Sequence, residues 1–250
     1  MSFAKIKKKY SLTALTESLS KLTTTKFNEP ISDGEDTDRD GNKMYTREVK
    51  TKAKYPKELD LTEIDASLQI PSLTFVGAGL RSETFVGVEF WIYTIGLYVE
   101  PEKVKEALKE YGECESGSMH ENKDFCKALV NMNSVTRVLR FVITLSGLKA
   151  AIVVSQFDKV LLPKMKKKGK EKSYRYIMEN MGKAKFRKGT VMFLALSGDG
   201  TVTCLCDGEV LGSVNCETLC QCIMEIYFGE DPISEDVKEK ICNGLHSSIQ

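Results

Sequence analysis

Residues 73–101 read LTFVGAGLRSETFVGVEFWIYTIGLYVEP, and this stretch limits the possible folds more than any other part of the chain. Leu73 to Leu80 and Thr84 to Val99 are dense in β-branched and aromatic side chains, with the polar Arg81 to Glu83 between them. Such runs suit a pleated, partly buried surface, whereas a helix would restrict the side-chain torsions of Val, Ile and Thr. The stretch is expected to form a long antiparallel hairpin that breaks at Arg81 to Glu83.

Gly77-Ala78-Gly79 invites a phosphate-binding reading. A dinucleotide fingerprint needs a third glycine and a helix directly after the loop, because the helix N-terminus faces the pyrophosphate. Here Ser82 takes the third position, more strand follows, and the Gly-Lys-Ser/Thr of a Walker loop is missing. The glycines are better assigned to a bend in the strand or to close approach of another backbone. With a period of two, Val86, Val88, Phe90 and Ile92 share one apolar face of the second strand, and Phe85, Gly87, Glu89, Trp91 and Tyr93 share a mixed one. The mixed face suits either a cavity wall or the outside of a sheet.

Beyond the hairpin, helix and strand signals alternate. Pro101 can open a helix with Val104, Leu108 and Tyr111 on one side and Gly112 as its stop. Val138 to Ser146 reads as a strand, Leu148 to Leu162 as a helix ended by Pro163, and Tyr174 to Lys185 as a basic helix. Thr190 to Leu196, the turn at Ser197 to Gly200, and Thr201 to Leu205 form a hairpin, and Asp207-Gly208 turns the chain into Glu209 to Val214. Leu219, Ile223, Ile226 and Tyr227 make a stripe that a helix must bury. Ser234 caps a last helix with Glu235 and Asp236 in its first turn, and Asn243-Gly244 closes it. Hairpin-linked strands with helices between and after them indicate an α+β fold with an antiparallel sheet.

The N-terminal part differs. The first 26 residues hold six lysines and one acid, Glu17, and residues 28–57 are polar and charged. Residues 1–58 read as a basic tail and polar linker, with the folded domain over 59–250. The tail is compatible with import into a mitochondrion or plastid, although it lacks arginine; otherwise the chain is expected to be intracellular and cytoplasmic. Asp36, Asp38, Asp40 and Gly41 mimic the start of a calcium loop, but Arg47 stands where the twelfth-position glutamate belongs. Eight cysteines without paired C-x2-C arms, and only two histidines, give no zinc pattern, so neither a metal nor a cofactor is expected and the thiols read as buried and reduced. The formal net charge of +1 argues against a nucleic-acid binder, and no apolar run is long enough for a transmembrane helix. Charge is uneven, however: Lys164 to Lys188 carries eleven Lys or Arg against two acids, and Asp199 to Gln250 carries ten acids against two lysines.

Two motifs point to a family. GAGLRSETFVGVEFWIYTIGLYVEP resembles the opening hairpin of the chalcone isomerase superfamily, and EIYFGEDPISEDVKEKICNGL (Glu225 to Leu245) resembles its closing helix, turn and helix, with YIMENM (Tyr176 to Met181) between them. The resemblance implies an open-faced β-sandwich: a large antiparallel sheet covered by helices on one face, with a ligand cleft between. In the enzymes the hairpin arginine, matched by Arg81, holds the phenolate that closes a flavanone ring. In the non-catalytic branch the same arginine and a nearby tyrosine, matched by Arg81 and Tyr93, grip a fatty-acid carboxylate. A guanidinium suits both tasks, being permanently charged and able to donate two parallel hydrogen bonds.

Departures favour the second branch. Tyr93 replaces the enzymes' threonine, Ser173 stands where they carry a catalytic tyrosine with Tyr174 one residue on, and Ile226-Tyr227 replaces a hydroxyl-bearing pair, while Asn180 is kept. The resemblance therefore implies a non-catalytic protein binding a fatty acid or similar amphiphilic carboxylate, with Arg81, Tyr93, Tyr174, Asn180, Ile226 and Tyr227 as ligand-site residues. A flavanone-forming intramolecular lyase relying on Arg81, and a scaffold that keeps only the fold, remain the alternatives.

Overall fold

The computed structural model describes residues 44–115 and 117–250. The basic tail and the Asp36 to Gly41 segment lie outside them. The described residues form nine strands: β1 (Tyr45–Arg47), β2 (Lys54–Pro56), β3 (Glu58–Leu59), β4 (Leu73–Phe85), β5 (Val88–Val99), β6 (Arg137–Ile143), β7 (Val191–Leu196), β8 (Thr201–Cys206) and β9 (Glu209–Asn215). Strands β3 to β9 form one antiparallel sheet in sequence order. Six α-helices interrupt or follow it: α1 (Pro101–Ala107), α2 (Lys123–Asn131), α3 (Ala150–Lys167), α4 (Glu171–Met181), α5 (Glu217–Phe228) and α6 (Glu235–Ile249). The α+β expectation holds, and no described helix is long and apolar enough to cross a membrane.

The helices bury the main core against one face of the sheet, with Ile95, Leu97, Leu139, Phe141 and Leu194 beneath Phe125, Phe157, Ile177, Ile223 and Ile241. The other face is not bare. Ala53, Tyr55, Leu61 and Ile70 from the segment before β4 pack on Tyr98, Val142, Phe193 and Leu205. The boundary expected at Leu59 therefore lies too late: by Tyr45 the chain is already pairing β1 with β2, and Ala53 and Tyr55 are fully buried. Polarity misled the reading, because β1 buries none of its residues fully and β2 buries only Tyr55, between Lys54 and Pro56. Glu48 holds the β1–β2 turn by accepting from the Thr51 amide at 2.7 Å and the Lys50 amide at 3.1 Å, and it reaches Lys240 of α6 at 3.4 Å. Burial opposes its ionisation, yet these hydrogen bonds and the lysine keep its carboxyl below the usual range.

Three further expectations need correction. The β4–β5 turn is at Val86-Gly87, with φ of 48° and 76°, and not at Arg81 to Glu83. Positive φ at both central positions marks a type I′ two-residue hairpin turn, so Gly87 decides the place and the polar triplet stays within β4. Pro163 lies inside α3 instead of ending it. The proline forfeits one helix hydrogen bond, but fully buried Leu161 and Met165 hold the turns on either side of it against the core. Gly244 does not close the last helix, which runs on to Ile249. Asp207-Gly208, with φ of 48° and 84°, does turn β8 into β9 as expected. Helix α2, which the sequence reading left unassigned, starts at Asn122, whose side chain accepts from the amides of Asp124 and Phe125.

Candidate functional site

On β4, Gly77, Gly79, Arg81 and Glu83 alternate onto one side of the strand. Helix α6 lies against Gly77 and Gly79: a Cβ on Gly79 would sit 2.5 Å from the Val237 Cα, and one on Gly77 would sit 2.8 Å from the Lys240 carbonyl oxygen. The helix begins just before this crossing. Ser234 at its N-cap accepts from the Val237 amide at 3.4 Å and donates to the Leu80 carbonyl at 2.9 Å, while Asp236 accepts from the Leu80 amide at 2.6 Å. Both backbone groups of Leu80 are thereby tied to α6, and Arg81 emerges immediately beyond the end of the helix. Replacing Ser234 by Ala removes a cap and leaves the Leu80 carbonyl without that donor. We expect a loss of about 2 kcal/mol, seen as a lower denaturant midpoint at unchanged slope.

Tyr93 reaches the same place through a bulge. Arg81 pairs with Tyr93 and Ser82 with Trp91, so Ile92 is an extra residue on β5. The bulge resets the alternation, and Tyr93 joins Phe90 and Ile92 in the main core instead of sharing a face with Glu89 and Trp91. The cavity-wall option is therefore the one realised for Tyr93, while the simple period of two misassigned its companions. Its hydroxyl lies 3.4 Å from that of Tyr227 on α5, and Phe141 packs edge-on against both rings at 5.7 and 6.2 Å. Burial pushes the Tyr93 phenol above its usual value, with the Arg81 guanidinium and the Tyr227 hydroxyl pulling it part of the way back. Tyr227 is held well above its usual value by burial and by the neighbouring Tyr93. Both phenols are protonated donors at neutral pH.

A small cavity of about 20 Å³ lies here, lined by Arg81, Glu83, Ile92, Tyr93, Val153, Gln156, Phe157 and Ile233. Arg81 Nη1 donates to the Ser82 carbonyl at 2.9 Å and Nη2 to the Glu83 carboxylate. The Gln156 Nε2 is buried without a hydrogen-bond partner. The polar end of the cavity thus holds three kinds of donor, guanidinium, phenol and amide, beside the Glu83 carboxylate, and the remaining wall is apolar.

Of the residues expected at the ligand site, Arg81, Tyr93 and Tyr227 come together. Ile226 is adjacent through its backbone, its carbonyl accepting from the amide of Ile233 at 2.8 Å and so setting one wall. Tyr174 and Asn180 are elsewhere, on α4, which packs over β8 and β9 at the far side of the sheet. The Tyr174 hydroxyl donates to Asp158 at 2.8 Å, and burial followed by that carboxylate raises its pKa. Asn180 Nδ2 donates to the Tyr176 carbonyl at 2.8 Å and lies over Gly212 of β9. Neither lines the cavity beside Arg81. Helical adjacency to a family motif does not bring a residue across four strands. Gln156 and Glu83 were missed, although each left a signal: Gln156 is a polar residue within the buried stripe of Ile152, Val153, Phe157 and Leu161, and Glu83 follows Arg81 at the spacing that shares a strand face.

Comparison with known proteins places the chain. A solved crystal structure of a fatty-acid binding protein from Arabidopsis thaliana superposes with a TM-score of 0.66 at 20% identity, covering 82% of this chain and 98% of that one, which establishes the shared fold. In sequence, the chain is 26% identical over 178 residues to Fatty-acid-binding protein 2 of Arabidopsis thaliana, covering 68% of this chain and 44% of that protein. It is 22% identical over 182 residues to Fatty-acid-binding protein 1 of the same plant, covering 70% and 65%. The match thus spans less than two thirds of either relative. The family profile described as chalcone isomerase-like matches residues 56–242, and the chain belongs to the chalcone isomerase-like family.

Proposed function

We propose that this chain binds a fatty acid or a similar amphiphilic carboxylate without transforming it, with the headgroup held by Arg81 and Tyr93. The observation that carries this reading is the convergence of the Arg81 guanidinium, the Tyr93 hydroxyl and the unpartnered Gln156 amide on one cavity whose apolar walls are Ile92, Val153, Phe157 and Ile233, with Glu83 beside Arg81. Charged and neutral donors at one end and aliphatic side chains around them match a carboxylate with a hydrocarbon tail. The two Arabidopsis relatives named as fatty-acid-binding proteins support the same ligand class. Ser173 stands where the enzymes of the superfamily carry a catalytic tyrosine, and Ile226 where they carry a Ser or Thr hydroxyl, which favours binding over catalysis.

At about 20 Å³ the cavity has room for about one water molecule, whereas a site for a whole amphiphile measures about 300 Å³ or more. Binding therefore requires α3, which supplies Val153, Gln156 and Phe157, to draw back from β5. The same small volume favours a second reading, a scaffold that keeps the fold alone. One experiment separates them. Full-length protein purified from a heterologous host is examined by native mass spectrometry, then delipidated and titrated with medium-chain fatty acids. Co-purified fatty acid, with affinity reduced at least about tenfold in Arg81→Ala, is expected. Wild type that carries no lipid and binds none in titration would refute the binding role and leave the scaffold.

A further inference from the structure

The cavity already contains a carboxylate. Glu83 stands two residues after Arg81 on the same face of β4, lines the same cavity, and accepts from Arg81 Nη2, while Arg81 Nη1 is engaged by the Ser82 carbonyl. Both side chains of the pair are only 18% exposed. The two charges also act oppositely on Tyr93, Arg81 favouring its ionised form and Glu83 opposing it. An incoming carboxylate would meet a guanidinium already engaged by the Ser82 carbonyl and the Glu83 carboxylate, with that like charge beside it. Two carboxylates sharing one small, poorly hydrated site repel, so one must leave or take up a proton.

We propose that Glu83 is an internal competitor for the headgroup site, so that a carboxylate ligand binds by exchanging with Glu83 on Arg81 Nη2 while Glu83 turns out to solvent. The proposal rests on the carboxylate-binding reading above and goes beyond it: Glu83 sets the affinity and limits the preference for a charged head over a neutral one. With Glu83 in place, the Arg81–Glu83 pair adds no net charge to the polar end of the cavity. A neutral head such as an alcohol can use Tyr93 and Gln156 without displacing anything. Removing the charge of Glu83 while keeping its shape should therefore strengthen carboxylate binding selectively.

The test compares decanoate and decan-1-ol as probes, titrated by calorimetry into delipidated full-length wild type, Glu83→Gln and the double variant Arg81→Ala/Glu83→Gln. Glu83→Gln is expected to bind decanoate about tenfold more tightly than wild type, with decan-1-ol changed by less than about twofold, and the double variant to lose the gain. Glu83→Asp, whose shorter side chain draws back from Arg81, provides an independent variant with an intermediate gain. Wild type and Glu83→Gln binding decanoate equally well would overturn the competitor role while leaving the fatty-acid reading intact. Equal tightening toward both probes would also overturn it, because Glu83 would then be filling space rather than competing by charge. Failure of wild type and both single variants to bind decanoate would overturn both proposals together.

Discussion

Replacing Gly79 by Ala is expected to destabilise the protein by about 3 kcal/mol or more, a large part of the roughly 5–15 kcal/mol available to a domain. The new Cβ would lie 2.5 Å from the Val237 Cα and 2.7 Å from both the Asp236 carbonyl oxygen and the Val237 amide nitrogen. These are backbone atoms of a helix, so no rotamer change relieves the clash; α6 has to move away from β4. Gly244 faces the same contact from the helix side, with the Val76 carbonyl against it, and Gly244→Ala should behave alike. Gly87 is the control. A Cβ there meets nothing within 4 Å, and only its positive φ of 76° opposes alanine, so about 1 kcal/mol is expected. Denaturant unfolding monitored by circular dichroism measures all three. A Gly79→Ala loss no larger than that of Gly87→Ala would contradict the close packing of α6 on β4. Because Leu80 is hydrogen-bonded to both Ser234 and Asp236, displacing α6 should also disturb Arg81, and headgroup binding should fall with stability.

A second large effect is expected on raising the pH. Burial pushes the thiols of Cys204 and Cys220 from an ordinary 9.0 up to about 12 and that of Cys206 up to about 11. Tyr55, Tyr98, Tyr174 and Tyr227 are likewise raised above 10.0, chiefly by burial. The unfolded chain releases these protons at the ordinary values, whereas the folded chain retains them. The folded state thus binds more protons between about pH 9 and 12, and the stability these groups provide, complete below pH 9, falls across that window. Buried Arg137 works in the opposite sense. Burial lowers it from 12.5 to about 10, so stability gains from that one group as the pH passes 10. It is outnumbered, and the combined loss is on the order of the whole stability of a domain, about 5–15 kcal/mol.

Alkaline unfolding should therefore be cooperative, with tyrosinate absorbance rising together with the loss of far-ultraviolet dichroism. A gradual titration of all tyrosines near pH 10 with the dichroism unchanged would show that the phenols are accessible and the core assignment wrong.

Local chemistry made much of this fold legible. The β-branched density of residues 73–99, the Asp207-Gly208 turn, the buried stripe of α5 and the Ser234 cap each depend on neighbours within a few residues, and each is present. Arg81, Tyr93 and Tyr227 were also identifiable from the two terminal motifs. The errors share a different cause. The face of Tyr93 depended on a bulge that only pairing with β4 creates, and the course of α3 through Pro163 depended on burial of Leu161 and Met165. The position of Asn180 depended on which strand α4 crosses, and the early start of the fold depended on Tyr55 finding Tyr98 and Phe75 on the second sheet face. In each case the deciding contact is made with another strand or helix, and its geometry is not encoded in local spacing.

Gly77 and Gly79 show the division most directly. Their place at the end of an apolar run, without a third glycine or a following helix, was enough to exclude a phosphate loop and to suggest a close backbone approach. Only the tertiary structure decided that the approaching backbone is α6, more than 150 residues later in the chain, as the Leu80–Asp236 bond records. Because α6 begins only at Ser234, the next residue on that strand face, Arg81, is left uncovered by that helix, and there the cavity forms.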